Sequence, residues 1–280
     1  MNNETNLKSL VKEKYSAIAR SEEDGCCGAG LCCGESGVNL MADDYSRLPG
    51  YAPGADLGLG CGLPTELAAI REGELIVDLG CGAGNDAFVA ARLTGTSGKV
   101  IGVDFSEPMI ARARENATKL DVQHVEFRLG DIESLPVASN TADLVISNCV
   151  LNLVPNKHRA FSEIFRVLRP GGRFCISDIV VERSLPAKWK EVAELYAGCV
   201  SGAILKEQYL SIVREAGFLE VGVRVEKRIH VPIETLAKYV DPDDLEAQQA
   251  KGSGILSITL TGSRPAKDDR NCCEPGSGCC

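Results

Sequence analysis

The strongest constraint on the fold of this sequence is a regular alternation of apolar and amphipathic stretches between residues 75 and 181. Strands are predicted where the chain reads ELIVDLG, KVIGVDFS, HVEFRLGD, ADLVISNCV and GGRFCISDIVV. Helices are predicted among them where it reads NDAFVAARL, EPMIARARENATKL and HRAFSEIFRVL. Because parallel strands need a crossover connection that is usually a helix, this alternation predicts βαβ units in a mostly parallel α/β sheet.

The segments outside this alternation have a different composition. An amphipathic helix is predicted over residues 6–20, then an arm rich in Gly, Asp and Cys, then a short helix, PTELAAIR, that begins at Pro64. Two helices are predicted over residues 187–217, and two later strands where the chain reads VEKRIHVPI and GILSITLTGSR. We therefore divide the chain into an N-terminal helix and Cys-rich arm (1–60), a central α/β domain (61–199), a smaller C-terminal α+β part (200–263) and a flexible Cys-rich tail (264–280).

Composition narrows the range of partners. The 280 residues carry a net charge of −9, so the chain has no electrostatic footprint for nucleic acid or for an anionic membrane. No apolar run is long enough for a membrane span, and the N-terminus lacks the apolar stretch of a signal peptide. A cytoplasmic protein is therefore expected.

Cysteine is the unusual residue of this composition, with thirteen copies. A reducing cytoplasm disfavours structural disulfides, so this many thiols indicates metal or redox chemistry. Eight of them form the adjacent pairs Cys26-Cys27, Cys32-Cys33, Cys272-Cys273 and Cys279-Cys280. The other five occur singly, as Cys61, Cys81, Cys149, Cys175 and Cys199.

A glycine-rich loop follows the first predicted strand. Glycines at 80, 82 and 84 let the backbone turn tightly and approach a ligand without a Cβ in the way. The dinucleotide-binding fingerprint would place its last glycine at Asn85, so the spacing here is G-x-G-x-G, preceded by Asp78. This segment resembles the class I S-adenosylmethionine-dependent methyltransferases.

That resemblance implies a Rossmann-like class I sheet and S-adenosylmethionine as cofactor. Asp78 would help to hold the amino-acid end of the cofactor, and Asp104, at the end of strand two, would accept hydrogen bonds from both ribose hydroxyls. Asp131 would bind the adenine amino group, and the Ile132 amide a ring nitrogen. The whole expected cofactor set is Asp78, Gly80, Cys81, Gly82, Gly84, Asp104, Asp131, Ile132 and Asn148.

Three single cysteines lie in distinctive settings. They occur as Gly60-Cys61-Gly62, as SNCVLNL around Cys149, and as GCVSGA around Cys199. With the methyltransferase core, these segments resemble the arsenite S-adenosylmethionine methyltransferases from about residue 9 to about residue 263. The resemblance implies that Cys61, Cys149 and Cys199 bind trivalent arsenic. It also implies a redox cysteine among Cys26, Cys27, Cys32 and Cys33, and an arsenical-scavenging tail at Cys272-Cys273 and Cys279-Cys280.

The chemistry of arsenic fits these residues. Trivalent arsenic is soft and prefers thiolates, and three sulfurs leave it a lone pair that can attack the sulfonium methyl group. No general base is needed, because this nucleophile carries no proton. The pentavalent product must be reduced by thiols, so thioredoxin or glutathione is the expected partner. Cys175, inside strand five, and the Cys81 thiol are read as small buried apolar groups.

Two alternatives stay open from the sequence. One is a class I methyltransferase that acts on a small carbon or nitrogen nucleophile, as in quinone or sterol pathways, which predicts an apolar pocket and no use for three thiols. The other is a non-catalytic thiol protein that sequesters soft metals and binds them without the cofactor.

Overall fold

The strands and helices come from a computed structural model that describes residues 3–20, 43–183, 202–229 and 254–266. Seven strands belong to one sheet: β1 (Leu75–Leu79), β2 (Lys99–Asp104), β3 (Val125–Leu129), β4 (Ala142–Asn148), β5 (Leu168–Val181), β6 (Leu219–Arg228) and β7 (Ile255–Ser263). Within these described ranges six α-helices accompany them: α1 (Asn3–Arg20), α2 (Pro64–Leu67), α3 (Asn85–Thr94), α4 (Glu107–Lys119), α5 (Lys157–Val167) and α6 (Lys206–Glu215).

The sheet has the strand order β3-β2-β1-β4-β5-β7-β6. The first five strands pair in parallel, and β7 runs antiparallel between β5 and β6. The mostly parallel, Rossmann-like sheet predicted from the alternation is therefore confirmed. Because β1 lies beside β4, the strand order reverses between them, and ligands of such sheets bind at the carboxyl ends of the strands at this switch point.

Local signals in the sequence set several helix boundaries. The Ser106 side chain accepts a hydrogen bond from the Met109 amide at the start of α4, where Pro108 occupies the first turn. Asn156 caps α5 in the same way, through the Arg159 amide. Such caps satisfy amides that have no partner within the helix, so each capping residue marks the point at which its helix begins.

The core consists of two apolar clusters. One contains Phe161 of α5 and Tyr209 of α6, packed against strand residues such as Phe174. The other contains Phe88 of α3 and Ile110 of α4. Strands β1 and β4 contribute buried residues to both clusters, which explains their nearly continuous apolar sequences.

Two predicted boundaries are wrong. The helix expected over PTELAAIR ends at Leu67, and the next carbonyls, those of Ala68 and Ala69, accept hydrogen bonds from the Arg173 guanidinium on β5. The strand expected at VEKRIHVPI begins earlier, at Leu219, because its pairing with β7 extends back to that residue.

The proposed division of the chain stays a prediction. The two described strands of the part 200–263 complete the same sheet as the central domain. Helix α1 packs on α4, where the hydroxyls of Ser16 and Ser106 lie 3.0 Å apart. Most of the Cys-rich arm, the segment that contains Cys199 and the tail from residue 267 lie outside the described residues. None of the helices in the described ranges is both long and apolar enough to cross a bilayer.

Candidate active site

An open cleft of about 1100 Å³ lies at the carboxyl ends of the parallel strands. Its walls come from α1, from residues 55–60 and from the loops that follow the first four strands. The residues of the predicted site that line it are Gly80, Cys81, Gly82, Asp104, Asp131, Ile132, Asn148 and Cys149. Four successive strand ends thus bring together residues that are up to 69 positions apart in the chain, counted from 80 to 149.

The glycine loop has the backbone that its sequence predicts. Gly80, Gly82 and Gly84 all have positive φ, at 65°, 52° and 101°. A Cβ on Gly84 would lie 2.8 Å from the ring of Phe88 and 2.9 Å from that of Phe127, so only glycine fits there. At Gly82 the nearest atom to such a Cβ is 4.0 Å away, so this part of the loop is open on its cleft side.

Asp104 connects the loops after β1 and β2. Its two carboxylate oxygens accept hydrogen bonds from the amides of Gly82, at 3.0 Å, and Ser106, at 2.8 Å. Burial raises the pKa of Asp104 to about 6, and the backbone donors counteract part of that shift. Each carboxylate oxygen has a second lone pair, so the group can still accept from ligand hydroxyls.

Two further carboxyl groups lie close to Asp104: Asp86, which lines the cleft, and Asp78, which is buried and does not line it. Asp78 is buried and accepts from the Ala87 amide, while its Oδ2 and the Oδ1 of Asn85 are buried without a hydrogen-bond partner. Burial, together with the charges of Asp86 and Asp104, raises the pKa of Asp78 well above its usual value. The three carboxyls, together with the unpaired oxygens of Asp78 and Asn85, form a site that suits a cationic ligand with donor groups, as S-adenosylmethionine is.

Cys149 follows β4 directly and is buried in the wall of the cleft. Its φ is +59°, in the left-handed region that residues other than glycine rarely adopt. Its amide donates to the Ser177 carbonyl at 2.8 Å, which continues the pairing of β4 with β5 by one residue. The turn at Cys149 is therefore imposed by the sheet.

Cys61 lies just behind the cleft wall and is 1% exposed. Its amide donates to Oδ1 of Asn148 at 3.0 Å, and its carbonyl accepts a hydrogen bond from the Ser257 hydroxyl on β7. The neighbouring residue Gly62 packs so closely that a Cβ there would lie 2.5 Å from the Ser177 hydroxyl. The Cys61 turn is thus held against β4, β5 and β7 together.

Both thiols act electrostatically on the buried hydroxyl of Tyr209. Burial, the charge of Asp178 and then the two cysteines raise the pKa of Tyr209 well above its usual value. The Tyr209 hydroxyl donates to Asp178 at 2.8 Å, in a region where burial raises the pKa of Asp178 to about 7. The sequence therefore brings Cys61 and Cys149 to one buried polar region although 88 positions separate them, from 61 to 149.

Comparison with known proteins agrees with this geometry. A family model described as a methyltransferase domain matches residues 70–217. An arsenite methyltransferase of Halobacterium salinarum is 41% identical over 273 residues, which cover 94% of this chain and 68% of that protein. The chain belongs to the arsenite methyltransferase family.

Two more members of the arsenite methyltransferase family show the extent of the similarity. The crystal structure of CrArsM, an arsenic(III) S-adenosylmethionine methyltransferase from Chlamydomonas reinhardtii, matches with a TM-score of 0.63 and 32% identity, covering 75% of this chain and 68% of that one. The arsenite methyltransferase of Aquipseudomonas alcaligenes is 34% identical over 64% of this chain, and the chain spans about half of its length, 53%.

Of the other cysteines discussed above, the structure describes two, Cys81 and Cys175. Burial, with Asp104 and Asp78 nearby, raises the pKa of Cys81 well above its usual value, and burial raises the pKa of Cys175 to about 12. Both thiols therefore stay protonated inside an apolar cluster, as expected. The predicted arsenic ligand Cys199 and the redox candidates Cys26, Cys27, Cys32 and Cys33 lie outside the described residues.

Within the described ranges, no three His, Cys, Asp or Glu side chains lie close enough to hold a metal ion. The two histidines described are not in the cleft wall: His124 lies 3.0 Å from the Ala91 carbonyl, and His158 is exposed near Glu215. The cleft wall thus contains no described histidine that could act as a general base.

Sequence reasoning missed four side chains of this site. Tyr45 and Asp86 line the cleft, and Ser177 and Tyr209 lie behind the two thiols. Tyr45 comes from a loop with no periodic pattern, and Tyr209 reads as an ordinary apolar helix position. Asp86 alone had a signal, because it follows the glycine loop by two residues.

Proposed function

We propose that this chain transfers the methyl group of S-adenosylmethionine to trivalent arsenic held by the thiolates of Cys61, Cys149 and Cys199. The observation that carries this proposal is the position of Cys149. Of the five described residues other than glycine with positive φ, only Cys149 lines the cleft, and such backbone costs about 1 to 3 kcal/mol. Its thiol lies at the switch point, where a class I sheet binds its ligands.

The cofactor is S-adenosylmethionine, which supplies an electrophilic methyl group on a sulfonium. Asp104 lines the cleft with lone pairs that can accept from the ribose hydroxyls, and we assign the part of the cleft lined by Asp131 and Ile132 to the adenine. Asp86, whose pKa is raised to about 6, gives the other end a negative charge near neutral pH that suits the ammonium and sulfonium groups, and the buried Asp78 adds an oxygen that can accept from the ammonium. Asn148 lies between this end and the Cys61 turn.

The arsenic substrate needs orientation more than acid–base help. Thiols of the protein replace the hydroxyls of arsenite and release water, so each As–O bond becomes an As–S bond without net proton transfer to the protein. The remaining lone pair forms the As–C bond while the sulfonium S–C bond breaks. Positioning of the two reactants therefore supplies most of the rate, which agrees with a cleft wall that holds thiols and carboxyls.

Each methyl transfer leaves pentavalent arsenic, which needs two electrons before the next round. A pair of protein thiols supplies them by forming a disulfide, which thioredoxin or glutathione then reduces. The candidates in the arm are Cys26, Cys27, Cys32 and Cys33. A reducing compartment such as the cytoplasm suits this cycle, since it keeps the thiols reduced.

Arsenic speciation by mass spectrometry tests this function. The full chain is incubated with arsenite, external thiol and S-adenosylmethionine, and methylated arsenic species are counted against S-adenosylhomocysteine formed. Cys149→Ser should abolish the products, because serine keeps the size but lacks the soft sulfur. Cys175→Ser is the matched control, since that thiol is buried in an apolar cluster and does not itself line the cleft, and it should retain activity.

The two alternatives predict different results. A methyltransferase for carbon or nitrogen nucleophiles would bind the cofactor but give no methylated arsenic, and Cys149→Ser would then be harmless. A sequestering protein would bind arsenite without consuming S-adenosylmethionine. Either result would overturn the proposed function.

A further inference from the structure

The hydroxyl of Tyr45 contacts three residues around the Cys61 turn: Gly62, Asp86 and Asn148. Tyr45 is 4% exposed, and its hydroxyl lies 3.0 Å from both carboxylate oxygens of Asp86 and 3.1 Å from the Gly62 carbonyl. One O–H can therefore donate to the carboxylate or to the carbonyl. Its oxygen also accepts a close hydrogen bond from Nδ2 of Asn148.

Asn148 transmits this arrangement to Cys61. Its Nδ2 lies within reach of three acceptors: the Tyr45 hydroxyl, the Gly62 carbonyl at 2.8 Å and Asp86 Oδ2 at 3.2 Å. This fixes which side of the amide group carries the nitrogen, so Oδ1 faces the other way. Oδ1 is the atom that accepts the Cys61 amide. The Asn148 side chain must therefore keep this orientation for its Oδ1 to accept the hydrogen bond from the Cys61 amide.

The segment that provides Tyr45 is itself anchored. The Leu48 amide donates to the Tyr45 carbonyl at 2.9 Å, which closes a turn directly after the tyrosine. Asp43 pairs with the Lys227 ammonium on β6, at 2.6 and 2.8 Å. The segment that carries Tyr45 is therefore held against β6, the edge strand of the sheet.

We propose that Tyr45 is a positioning residue for arsenite methylation, which holds Asn148 and, through it, the Cys61 turn in the geometry that binds arsenic. The inference rests on the proposed function, because it assigns Tyr45 to the arsenic half of that site. Tyr45 acts through Cys61 and does not contact arsenic. Asp86 serves as the fixed acceptor that orients the hydroxyl.

This role predicts a selective defect. Arsenite has three exchangeable positions and needs Cys61, whereas reduced methylarsenite has two and is held by Cys149 and Cys199. A displaced Cys61 turn should therefore slow arsenite methylation and spare methylarsenite when external thiol is abundant. A general weakening of the fold or of cofactor binding would slow both reactions alike.

Tyr45→Phe removes the hydroxyl and leaves the ring. We expect kcat/KM for arsenite to fall by about tenfold or more, while kcat/KM for methylarsenite, measured at saturating S-adenosylmethionine, changes by less than about threefold. Tyr51→Phe is the matched control, since the Tyr51 hydroxyl bonds Asp56 away from the Cys61 turn, and it should change neither reaction.

Gly60→Ala tests the same turn from its other side. A Cβ at this position would lie 2.7 Å from Asn148 Nδ2, so it should displace the amide group and give the same loss of arsenite turnover. This variant keeps the test decisive if Tyr45→Phe does not fold.

The outcomes separate the two proposals. A parent chain that methylates both arsenicals, with a Tyr45→Phe variant that loses both equally or loses neither, overturns the role of Tyr45 and leaves the proposed function standing. A parent chain that binds S-adenosylmethionine but methylates neither arsenical overturns the proposed function, and the role of Tyr45 with it.

Discussion

The amide of Cys149 donates to the carbonyl of Ser177 at 2.8 Å, and this bond holds the thiol-bearing residue in left-handed backbone. Ser177 also bonds Thr259 of β7 through its hydroxyl, at 2.8 Å, and lies against Gly62. One residue of β5 therefore contacts the turns of Cys61 and Cys149, the two proposed arsenic ligands that the structure describes. Because the same strand supports both turns, replacing one thiol leaves the other turn supported. The role of each thiol can therefore be tested by a single substitution.

Substitutions of the three proposed arsenic ligands should differ in which methylation step they abolish. Cys149→Ser and Cys199→Ser should abolish methylation of both arsenite and methylarsenite, because two thiolates are the fewest that direct the lone pair. Cys61→Ser should lose the arsenite reaction and keep some methylarsenite turnover when external thiol is abundant. Product speciation with each arsenical checks this. Parental turnover of methylarsenite by Cys199→Ser would disprove the two-thiolate arrangement.

Asp104→Ala should weaken S-adenosylmethionine binding by more than about tenfold, since a hydrogen bond to a charged group contributes about 1.5 to 3 kcal/mol. The loss has two sources in the structure: the ribose acceptor disappears, and the Gly82 amide loses its partner. Titration calorimetry measures it. Glu115→Ala, which removes a surface carboxylate paired with Lys119, should bind the cofactor normally. An unchanged Kd in folded Asp104→Ala would remove Asp104 from this role.

Cofactor affinity should rise with pH between 5 and 7. Burial raises the pKa values of Asp86 and Asp104 from about 3.8 to about 6, so the folded chain binds more protons than the unfolded chain in the window between those values. Stability from these two groups is therefore present below the unfolded pKa and is lost as pH rises through 6. A cation prefers the ionised carboxylates, so its binding strengthens over the same window.

Calorimetry of S-adenosylmethionine at pH 5, 6 and 7 measures this dependence, with the cofactor amine protonated throughout. Asp86→Asn should reduce the slope, because it removes one of the titrating groups that face the ligand. The remaining groups around Asp86 are Asp56, Asp78, Tyr45 and Cys175. A Kd that stays constant, or improves towards pH 5, contradicts the proposed charge complementarity.

Deletion of residues 268–280 should leave turnover at saturating arsenite largely intact. It should lower turnover at scarce arsenite, because two tethered pairs of cysteines raise the local arsenic concentration near the site. The comparison needs rates over a range of arsenite concentrations, with total thiol held constant. A truncated chain that folds but has no activity would show that the tail cysteines take part in the reaction.

Sequence patterns predicted the features that depend on neighbouring residues. The βαβ alternation specified the parallel sheet, and the glycine spacing predicted a loop whose three glycines all have positive φ. The acidic residue at the end of β2 could be placed at the cleft because parallel strands end at one edge of the sheet. These inferences need only local sequence and one rule of topology.

The features that the sequence did not reveal depend on distant pairs. The Tyr45 hydroxyl meets Asp86 across 41 positions, and Arg173 ends α2 from 105 positions away. No periodicity encodes such contacts. The same applies to β6, whose start is determined by its pairing with β7 and not by its own pattern.

The most distant of these contacts has a consequence for biosynthesis. The Ser257 hydroxyl supports the Cys61 carbonyl across 196 positions. At about 5 to 20 residues per second, the ribosome needs about 10 to 40 s to make the intervening chain. During that interval Cys61, a proposed arsenic ligand, has left the ribosome without the strand that holds its turn. Under the proposed function, a newly made molecule in an arsenic-exposed cell therefore presents this thiol before it has the geometry to methylate what the thiol captures.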